Sequence, residues 1–379
     1  MSFFKAYDMR GTFGVDFGLD TVYRVGKALP QVVGGGRWLV GRDCRLTGKE
    51  IKAALKSSLL SAGVEVDDIG LCTTPMIYYF TAVDSYDASV MVTASHNPPS
   101  DNGLKVSRRG SLPVGYDSGL KEVERLSGTF DAATLVDAPD EPQRENYIDR
   151  YCEWISSKVD LKLLEELSFA VDCSNGMAGI LVKRLFPNAV VINDALDGSF
   201  PSHSPNPLKS EAREQVSRLV RERKLDCAVI FDGDADRAMF VDENGSFVQC
   251  DYLIPVIARE CRDSSPSGMC SNKVLHDVRT SRAVIEALEK SGFEPVMIPV
   301  GHAFAKPKMR ELSALCGGEL AGHYYFGDFF GCDSGVLAAM RVLLQVAKAK
   351  RQGCAFSEMM KPIACRYANS GELNFKVDV

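Results

Sequence analysis

Short apolar runs alternate with longer amphipathic runs along the whole chain. The run RWLVGRD predicts a strand, and it is followed by the helical pattern TGKEIKAALKSSLLSAG, with Thr47 as a candidate N-cap and Gly63 as a candidate stop. The alternation restarts near residue 145, and again near residue 250. Alternating strands and helices are typical of α/β units with parallel or mixed sheets. We therefore expect an α/β fold of three consecutive, similar domains with mixed sheets.

The restarts give the expected domain bounds within the 379 residues. We place the three α/β domains at residues 1–144, 145–248 and 249–364. Residues 365–379 alternate like a strand, and we interpret them as the start of a fourth domain. Because ligands of α/β sheets gather at the carboxyl ends of strands, loops that follow apolar strands are the places to search for function.

Composition and charge narrow the class of protein. The formal net charge is −6 and no long basic run occurs, so we expect no nucleic-acid partner. No apolar stretch approaches the length of a membrane span, and the N-terminus lacks the order of a signal peptide, which predicts no membrane partner. The 12 cysteines form no C-x-x-C pair and lie mostly in apolar runs, which favours the reducing cytoplasm. No pattern in the chain predicts an oligomeric state.

The loop TASHNPPSDNG follows the predicted strand ASVMV. Its two prolines fix the backbone and its Asn-Gly pair is a turn signal, so Ser95 is held on a stiff loop beside His96. The alternative is an ordinary proline-rich connection with an incidental serine. A serine-protease interpretation is weak, because no G-x-S-x-G elbow accompanies the loop.

Two further loops carry carboxylates after apolar strands. In FDGDADR, Asp232, Asp234 and Asp236 alternate and can converge on one point, where hard oxygen ligands suit Mg²⁺ or Ca²⁺. In GGELAGHYYFGDFF, Glu319 and His323 lie on a glycine-rich turn that suits hydrogen bonding to sugar hydroxyls. A solvated acidic turn and a structural turn with a satisfied histidine are the respective alternatives.

Scattered cations and aromatic side chains add to these loops. Guanidinium and ammonium groups on nearby segments suit a phosphorylated ligand, although each one alone is more often surface charge. The cations are Arg10, Lys105, Arg237 and Arg279, and the neighbouring candidates are Tyr7 and His302.

Taken together, these segments resemble the α-D-phosphohexomutase family, which includes phosphomannomutases, phosphoglucomutases and phosphoglucosamine mutases. The segments KAYDMRG, VTASHNPPSDNGLKV, FDGDADR and GELAGH occur in the order of the family's opening, phosphoserine, magnesium and sugar-recognition loops. The resemblance implies an enzyme that interconverts hexose 6-phosphate and hexose 1-phosphate, through a phosphoserine enzyme and a hexose 1,6-bisphosphate that also serves as activator. Mannose is the expected sugar, with glucose and glucosamine as alternatives.

The resemblance also implies residue roles. Ser95 would carry the phosphoryl group and would ligate Mg²⁺ together with Asp232, Asp234 and Asp236. The groups around the transferring phosphoryl would be Arg10, His96, Lys105, Arg237 and His323. The substrate-binding groups would be Tyr7, Arg279, His302, Glu319 and His323.

The sequence departs from the family pattern at two places. Ala321 stands where the sugar loop usually has a serine, which removes one hydroxyl contact. SGELNFKV resembles the entry to the family's fourth domain, but the Arg/Ser/Thr-rich phosphate loop of that domain is not in the sequence. We therefore expect either a fragment or a protein without that clamp. A chain that binds metal and sugar phosphate without turnover, and an aspartyl phosphatase with Asp232 as nucleophile, are the competing functions.

Overall fold

The computed structural model describes residues 3–131, 144–265 and 271–368. Within these residues, three mixed sheets follow one another along the chain, each with helices packed beside it. Each sheet has three neighbouring parallel strands followed by two antiparallel strands, and the first sheet has one additional antiparallel strand. This arrangement confirms the α/β class with three consecutive units and mixed sheets.

The first sheet has the order β1-β5-β4-β2-β3, with β6 paired to β5. Strand β4 is buried along its whole length, as expected for a strand covered on both faces. The strands are β1 (Met9–Thr12), β2 (Arg37–Arg42), β3 (Glu65–Leu71), β4 (Ala88–Val92), β5 (Asp101–Arg108) and β6 (Leu112–Pro113). The helices are α1 (Leu19–Val33), α2 (Gly48–Ser61), α3 (Thr74–Val83) and α4 (Lys121–Ser127).

The second sheet has the order β11-β10-β9-β7-β8. Its central strands β9 and β10 are apolar and completely buried, which matches the run CAVIF and its partner AMFVD. The strands are β7 (Phe169–Asp172), β8 (Val190–Ile192), β9 (Cys227–Phe231), β10 (Ala238–Asp242) and β11 (Phe247–Val248). The helices are α5 (Glu145–Ser156), α6 (Val182–Leu185) and α7 (Ser210–Arg223).

The third sheet has the order β13-β12-β14-β15-β16. The strands are β12 (Lys273–Asp277), β13 (Glu294–Ile298), β14 (Cys316–Gly318), β15 (Tyr324–Phe326) and β16 (Cys332–Asp333). The helices are α8 (Ile254–Asp263), α9 (Arg282–Lys290), α10 (His302–Glu311), α11 (Gly335–Arg351) and α12 (Phe356–Ala364). Helix α11 is buried over most of its length, although no helix in the described ranges is long and apolar enough to cross a membrane.

One apolar core joins the three units. Trp154 of α5 lies 4.7 Å from Tyr79 of α3 and 5.2 Å from Phe329 beside the third sheet, measured between ring centroids. The same cluster of buried residues includes side chains from all three sheets. Burial of aromatic rings is among the largest apolar contributions to stability, so these contacts hold the three sheets around a common centre.

Two local features differ from what the sequence pattern favours, and a third expectation falls outside the described residues. The run GMAGILVKRLF after β7 has a helical pattern, but α6 is short, because GMAG weakens helix formation and the backbone at Gly179 approaches the carbonyl of Asp194 closely. Thr47 occupies the N-cap position of α2, but its hydroxyl accepts a hydrogen bond from Asn102 instead of capping the helix. The strand expected at the end of the chain lies outside the described residues.

Candidate active site

Three loops occupy equivalent places in the three sheets. The serine loop (93–100) joins β4 to β5, the aspartate loop (232–237) joins β9 to β10, and the glutamate loop (319–323) joins β14 to β15. In each sheet, this is the step from the third parallel strand to its antiparallel neighbour. Because the loops are equivalent, the candidate functional side chains follow corresponding strands in all three units.

The loops meet at one cleft with a volume of about 480 Å³. Ten of the side chains expected to be functional line the cleft: Tyr7, Arg10, Ser95, His96, Lys105, Arg237, Arg279, His302, Glu319 and His323. Asp232, Asp234 and Asp236 lie buried next to the cleft floor. The structure therefore brings together every residue that the sequence singled out for the site.

Ser95 lies in a strained backbone conformation with its hydroxyl directed at the aspartate loop. Its φ angle is 51°, in the left-handed region that costs a non-glycine residue about 1–2 kcal/mol. Its Oγ donates a hydrogen bond to Asp232 Oδ2 at 2.8 Å and lies 3.4 Å from Nδ1 of His96. Strain of this kind is typical of functional sites, where surrounding contacts hold the residue in place.

The aspartate loop gathers three buried carboxylates. One oxygen from each of Asp232, Asp234 and Asp236 lies within 4.8 Å of the other two. Burial, together with the neighbouring carboxylates, raises the pKa of Asp232 well above its usual value. Burial also raises the pKa of Asp236, but Lys105 and His323 outweigh it, so this pKa is lowered. Opposite pKa shifts are expected when neighbouring carboxyl groups repel each other and a cation lies close to only one of them.

The donor set fits a divalent metal ion. Lys105 Nζ contacts Oδ2 of Asp234 at 2.9 Å and Oδ2 of Asp236 at 2.6 Å, and Thr74 Oγ1 donates to the same Asp234 oxygen. The Oδ1 atoms of Asp234 and Asp236 are buried without a hydrogen-bond partner. Carboxylate oxygens that are desolvated and unpaired are suitable ligands for a hard cation such as Mg²⁺.

Asp236, His323 and Asp333 form a second cluster of possible metal ligands. In this cluster, however, His323 and Asp333 are engaged in contacts with protein groups. His323 Nδ1 lies 2.8 Å from Asp333 Oδ2, and Lys306 Nζ lies 2.9 Å from Asp333 Oδ1. On the other side of the ring, Arg237 Nε donates to His323 Nε2 at 2.9 Å. Since Nε2 accepts from Arg237, Nδ1 must carry the ring proton and donate it to Asp333.

Cations surround the cleft floor. Arg10 forms a salt bridge with Asp8 and donates from Nη1 to Asn97 Oδ1 at 3.1 Å, which connects β1 to the serine loop. Arg279 Nη2 donates to Asp277 Oδ2 at 2.7 Å, at the end of β12. Although burial opposes the charge, Asp234 and Asp236 raise the pKa of Lys105 above its usual value.

Two of the three histidines that line the cleft, His96 and His302, have lowered pKa values. Burial, with Arg237 as the next cause, lowers the pKa of His96 well below its usual value. Burial, with Lys306 as the next cause, lowers the pKa of His302 to about 3. Neutral imidazoles in this place can accept or donate hydrogen bonds without adding charge to the cleft.

Glu319 is buried in the lining of the cleft. Its Oε1 accepts a hydrogen bond from the hydroxyl of Tyr325 at 2.5 Å, which leaves the second carboxylate oxygen for a ligand. Gly322 closes the loop with a φ of 86° and donates its N–H to the Glu319 carbonyl at 3.0 Å. Ala321 faces the same cleft and offers no hydroxyl.

Several residues that contact the site were not predicted from the sequence, and four of them support its loops or His323. Arg45 binds the serine loop, Thr74 contacts Asp234, and Lys306 with Asp333 supports His323. Arg45 and Thr74 do follow strands β2 and β3, so the rule that ligand-facing groups lie after strands offered a signal for them. Lys306 lies within α10, where no sequence pattern separates a buried lysine from a solvated one.

Three family models, described as phosphoglucomutase/phosphomannomutase alpha/beta/alpha domains I, II and III, match residues 1–128, 146–245 and 249–364. The matched ranges contain the serine, aspartate and glutamate loops respectively. Together they cover most of the chain in the order that the sequence resemblance predicted.

Whole-chain comparisons agree with the domain matches. The chain is 34% identical to a phosphomannomutase of Escherichia coli (strain K12), over 99% of this chain and 83% of that protein. A Burkholderia thailandensis phosphoglucomutase/phosphomannomutase family structure superposes with a TM-score of 0.81 at 31% identity, covering 91% of this chain and 77% of the other. A putative phosphomannomutase from Thermus thermophilus superposes with a TM-score of 0.84 at 22% identity, covering 96% and 83%. The chain therefore belongs to the phosphoglucomutase/phosphomannomutase family, whose members are phosphohexomutases of the isomerase class.

Proposed function

We propose that this phosphohexomutase works through a phosphoryl group on Ser95 and interconverts hexose 6-phosphate and hexose 1-phosphate. The observation that carries the proposal is the 2.8 Å hydrogen bond from Ser95 Oγ to Asp232 Oδ2, at the floor of a cleft lined with cations. The serine phosphoryl passes to the free hydroxyl of the sugar and gives a hexose 1,6-bisphosphate. The other phosphate of that bisphosphate then returns to Ser95, and an added hexose 1,6-bisphosphate activates the enzyme by phosphorylating Ser95.

The charge balance of the floor supports a bound cation. Phosphorylation of Ser95 would add a charge of roughly −1.5 to −2 beside three carboxylates. Mg²⁺ would be held by Asp232, Asp234, Asp236 and a phosphoryl oxygen on Ser95, and it would supply charge neutralisation for the transferring group. The unpaired Oδ1 atoms of Asp234 and Asp236 support this ligand set.

The protein groups around the floor supply orientation and charge. Arg10, Lys105 and Arg237 bind oxygens of the transferring phosphoryl, because guanidinium and ammonium groups stabilise developing negative charge. His323 acts through its hydrogen bond with Arg237, and neutral His96 contacts the Ser95 hydroxyl.

The remaining cleft residues bind the sugar and its second phosphate. The carboxylate of Glu319 accepts hydrogen bonds from sugar hydroxyls, and Arg279 contacts a phosphate oxygen. Tyr7 and His302 shape the wall between them, with their ring centroids 6.1 Å apart. The position of all four side chains on one cleft supports these roles.

Mannose is the proposed sugar, with glucose and glucosamine as alternatives. The support is the phosphomannomutase named among the relatives of this chain. The missing hydroxyl at Ala321 weakens sugar binding by one hydrogen bond, which is worth about 0.5–1.5 kcal/mol net.

We also propose a cellular location and domain bounds for the protein. We place the protein in the cytoplasm, which is supported by the free state of eleven described cysteines. We keep the domain bounds 1–144, 145–248 and 249–364, each of which contains one whole sheet.

The test combines product formation with the chemistry of the phosphoprotein. The chain is incubated with Mg²⁺, a bisphosphate activator and mannose, glucose or glucosamine 1-phosphate, and the formation of 6-phosphate is followed. We expect fastest turnover with mannose 1-phosphate and a hydroxylamine-resistant phosphate on Ser95, found by mass spectrometry. Binding of Mg²⁺ and sugar phosphate without turnover would favour the non-catalytic alternative. A hydroxylamine-labile phosphate on Asp232 would instead point to the aspartyl-phosphatase alternative, for which the family matches offer no support.

A further inference from the structure

The serine loop is held by the guanidinium of one side chain. Arg45, which is 1% exposed, follows β2 and donates four hydrogen bonds to backbone carbonyls of the serine loop and the start of β5. The acceptors and distances are Ser95 at 2.8 Å, Asn97 at 2.7 Å, Pro98 at 2.6 Å and Asp101 at 2.8 Å. Each terminal nitrogen of the guanidinium therefore uses both of its N–H groups on this segment.

Asp43 connects the guanidinium to the backbone of the serine. Its carboxylate lies 3.3 Å from Arg45 Nε and accepts a hydrogen bond from Thr93 Oγ1 at 2.6 Å. Thr93 Oγ1 in turn accepts the N–H of Ser95 at 2.9 Å. Both the amide and the carbonyl of the strained Ser95 are thus fixed by one buried polar network.

The second unit closes over this network. The ring of Phe200 lies 5.1 Å from the guanidinium carbon of Arg45, and a Cβ at Gly198 would lie 2.6 Å from the Arg45 Cα. The guanidinium is therefore desolvated, and its charge is compensated by Asp43 and by carbonyl dipoles. In such surroundings, hydrogen bonds to a charged group are worth more than they are in water.

We propose that Arg45 is the positioning residue of the serine loop, which keeps the Ser95 hydroxyl directed at the aspartate loop. The proposal rests on the proposed role of Ser95 in phosphoryl transfer. A left-handed conformation at Ser95 persists only if its neighbours enforce it, and Arg45 contacts four carbonyls on or next to that loop. A lysine at position 45 would keep the charge, but its single ammonium cannot reproduce a planar fork with four donors.

The experiment compares Arg45→Lys and Arg45→Ala with Arg341→Ala in the full chain with Mg²⁺. Arg341 is a suitable control because it is also a buried arginine, 2% exposed, which contacts Cys261 and Asp328 away from the cleft. For Arg45→Lys we expect kcat to fall by about a hundredfold with KM for the hexose phosphate changed less than about threefold, since misplacement of the reacting atom affects turnover. Amide hydrogen exchange in residues 95–101 should become faster, whereas Arg341→Ala should leave both kcat and this exchange unchanged.

Two further readouts separate positioning from general destabilisation. Millimolar guanidinium chloride, below denaturing concentration, should restore part of the kcat of Arg45→Ala, because the ion can occupy the vacated site. The proposal is overturned if Arg45→Lys retains wild-type kcat, or if Arg341→Ala loses as much kcat as the Arg45 variants. Failure of the proposed function would look different: the wild type itself would carry no phosphate on Ser95, while exchange at residues 95–101 would still respond to Arg45.

Discussion

The serine loop and the aspartate loop join equivalent strands of neighbouring sheets, yet they are held by different kinds of contact. The serine loop depends on the Arg45 side chain, which binds the carbonyls of Ser95, Asn97 and Pro98. Its shape can therefore be changed by one substitution outside the loop.

The aspartate loop depends on backbone contacts from all three units. Thr74 donates its N–H to the Asp234 carbonyl at 3.0 Å, Met177 donates to Gly233 at 2.9 Å, and Gly335 donates to Ala235 at 3.2 Å. No single side-chain substitution removes these bonds. The serine loop is therefore held by a side chain that one substitution can remove. The aspartate loop is held by backbone hydrogen bonds, which depend on how the three units pack.

The largest expected effect comes from removal of the phosphoryl acceptor. Ser95→Ala should lower kcat by at least about 10⁴-fold, as is usual when a nucleophile is removed, and should leave the fold intact. Ser111→Ala is a matched control, because Ser111 is also buried with a positive φ of 65° but donates to the Tyr78 carbonyl. A coupled mutase assay measures kcat for both variants. Retention of more than a few per cent of activity in Ser95→Ala would remove this serine from the reaction.

The aspartate loop is tested through its metal affinity. Asp234→Asn should weaken Mg²⁺ binding on the order of tenfold to a hundredfold, because a buried carboxylate ligand becomes a neutral amide. The backbone bonds to the loop remain, so the melting temperature should change little. Calorimetry with Mg²⁺ gives the affinity, and Asp242→Asn, at the end of β10, is the control. Equal Mg²⁺ affinity for Asp234→Asn and the wild type would exclude this loop as the metal site.

The side chains of Arg237, His323 and Asp333 join the aspartate loop to the third unit through consecutive hydrogen bonds. Asp333→Asn should reverse the tautomer of His323, since an amide can donate to Nδ1, and the ring would then direct Nε2–H at Arg237 Nε. We expect kcat to fall roughly tenfold to a hundredfold, as for other residues that orient a histidine. Nitrogen-15 NMR of His323 reports the tautomer. Asp328→Asn, on the same unit but far more exposed, should alter neither the tautomer nor kcat.

The glutamate loop completes the set of equivalent loops. Glu319→Gln should raise KM for the hexose phosphate about tenfold or more, because a charged hydrogen bond is worth roughly 1.5–3 kcal/mol. Mg²⁺ affinity should stay at the wild-type value, since Glu319 does not belong to the three-carboxylate group. Steady-state kinetics and calorimetry on the same variant measure the two quantities. If both affinities fell equally, Glu319 would have a structural role.

The smallest effect concerns the pH dependence of stability at the cleft wall. The pKa of His302 is lowered to about 3 in the folded chain, compared with about 6.5 when unfolded. As the pH falls below about 6.5, the unfolded chain binds a proton that the folded chain refuses, so folding stability decreases. His302→Gln should therefore lose less stability than the wild type between about pH 7 and pH 5, measured by urea unfolding.

His203 provides a control of opposite sign for that measurement. Burial opposes its charge, but the hydrogen bond with Asp172 outweighs burial and raises its pKa above the usual value. The stability that this pair contributes is present at low pH and is lost as the pH rises through the folded pKa. His203→Gln should thus lose more stability than the wild type on acidification, and a wild-type pH profile for either variant would contradict the assignment for that histidine.

Much of the fold followed from patterns within single segments. The apolar runs at Arg37–Arg42, Ala88–Val92 and Cys227–Phe231 are strands, as their length and flanking turns predicted. The α7 helix, Ser210–Arg223, has the amphipathic spacing that its sequence shows. These elements were predictable because local periodicity already specifies which side of the chain is buried.

The three loops, their reactive side chains and their order along the chain were predictable from the amino-acid sequence. They were predictable because prolines, glycines and alternate carboxylates act locally, on the backbone that bears them. Which distant side chains support those loops depends on the packing of the three units and was visible only in the structure. Arg45 lies 50 residues from Ser95, and Lys306 reaches Asp333 from another element, so their partners depend on how the sheets pack. Pairings of buried charges are settled by desolvation and geometry in the assembled core, which no local pattern encodes.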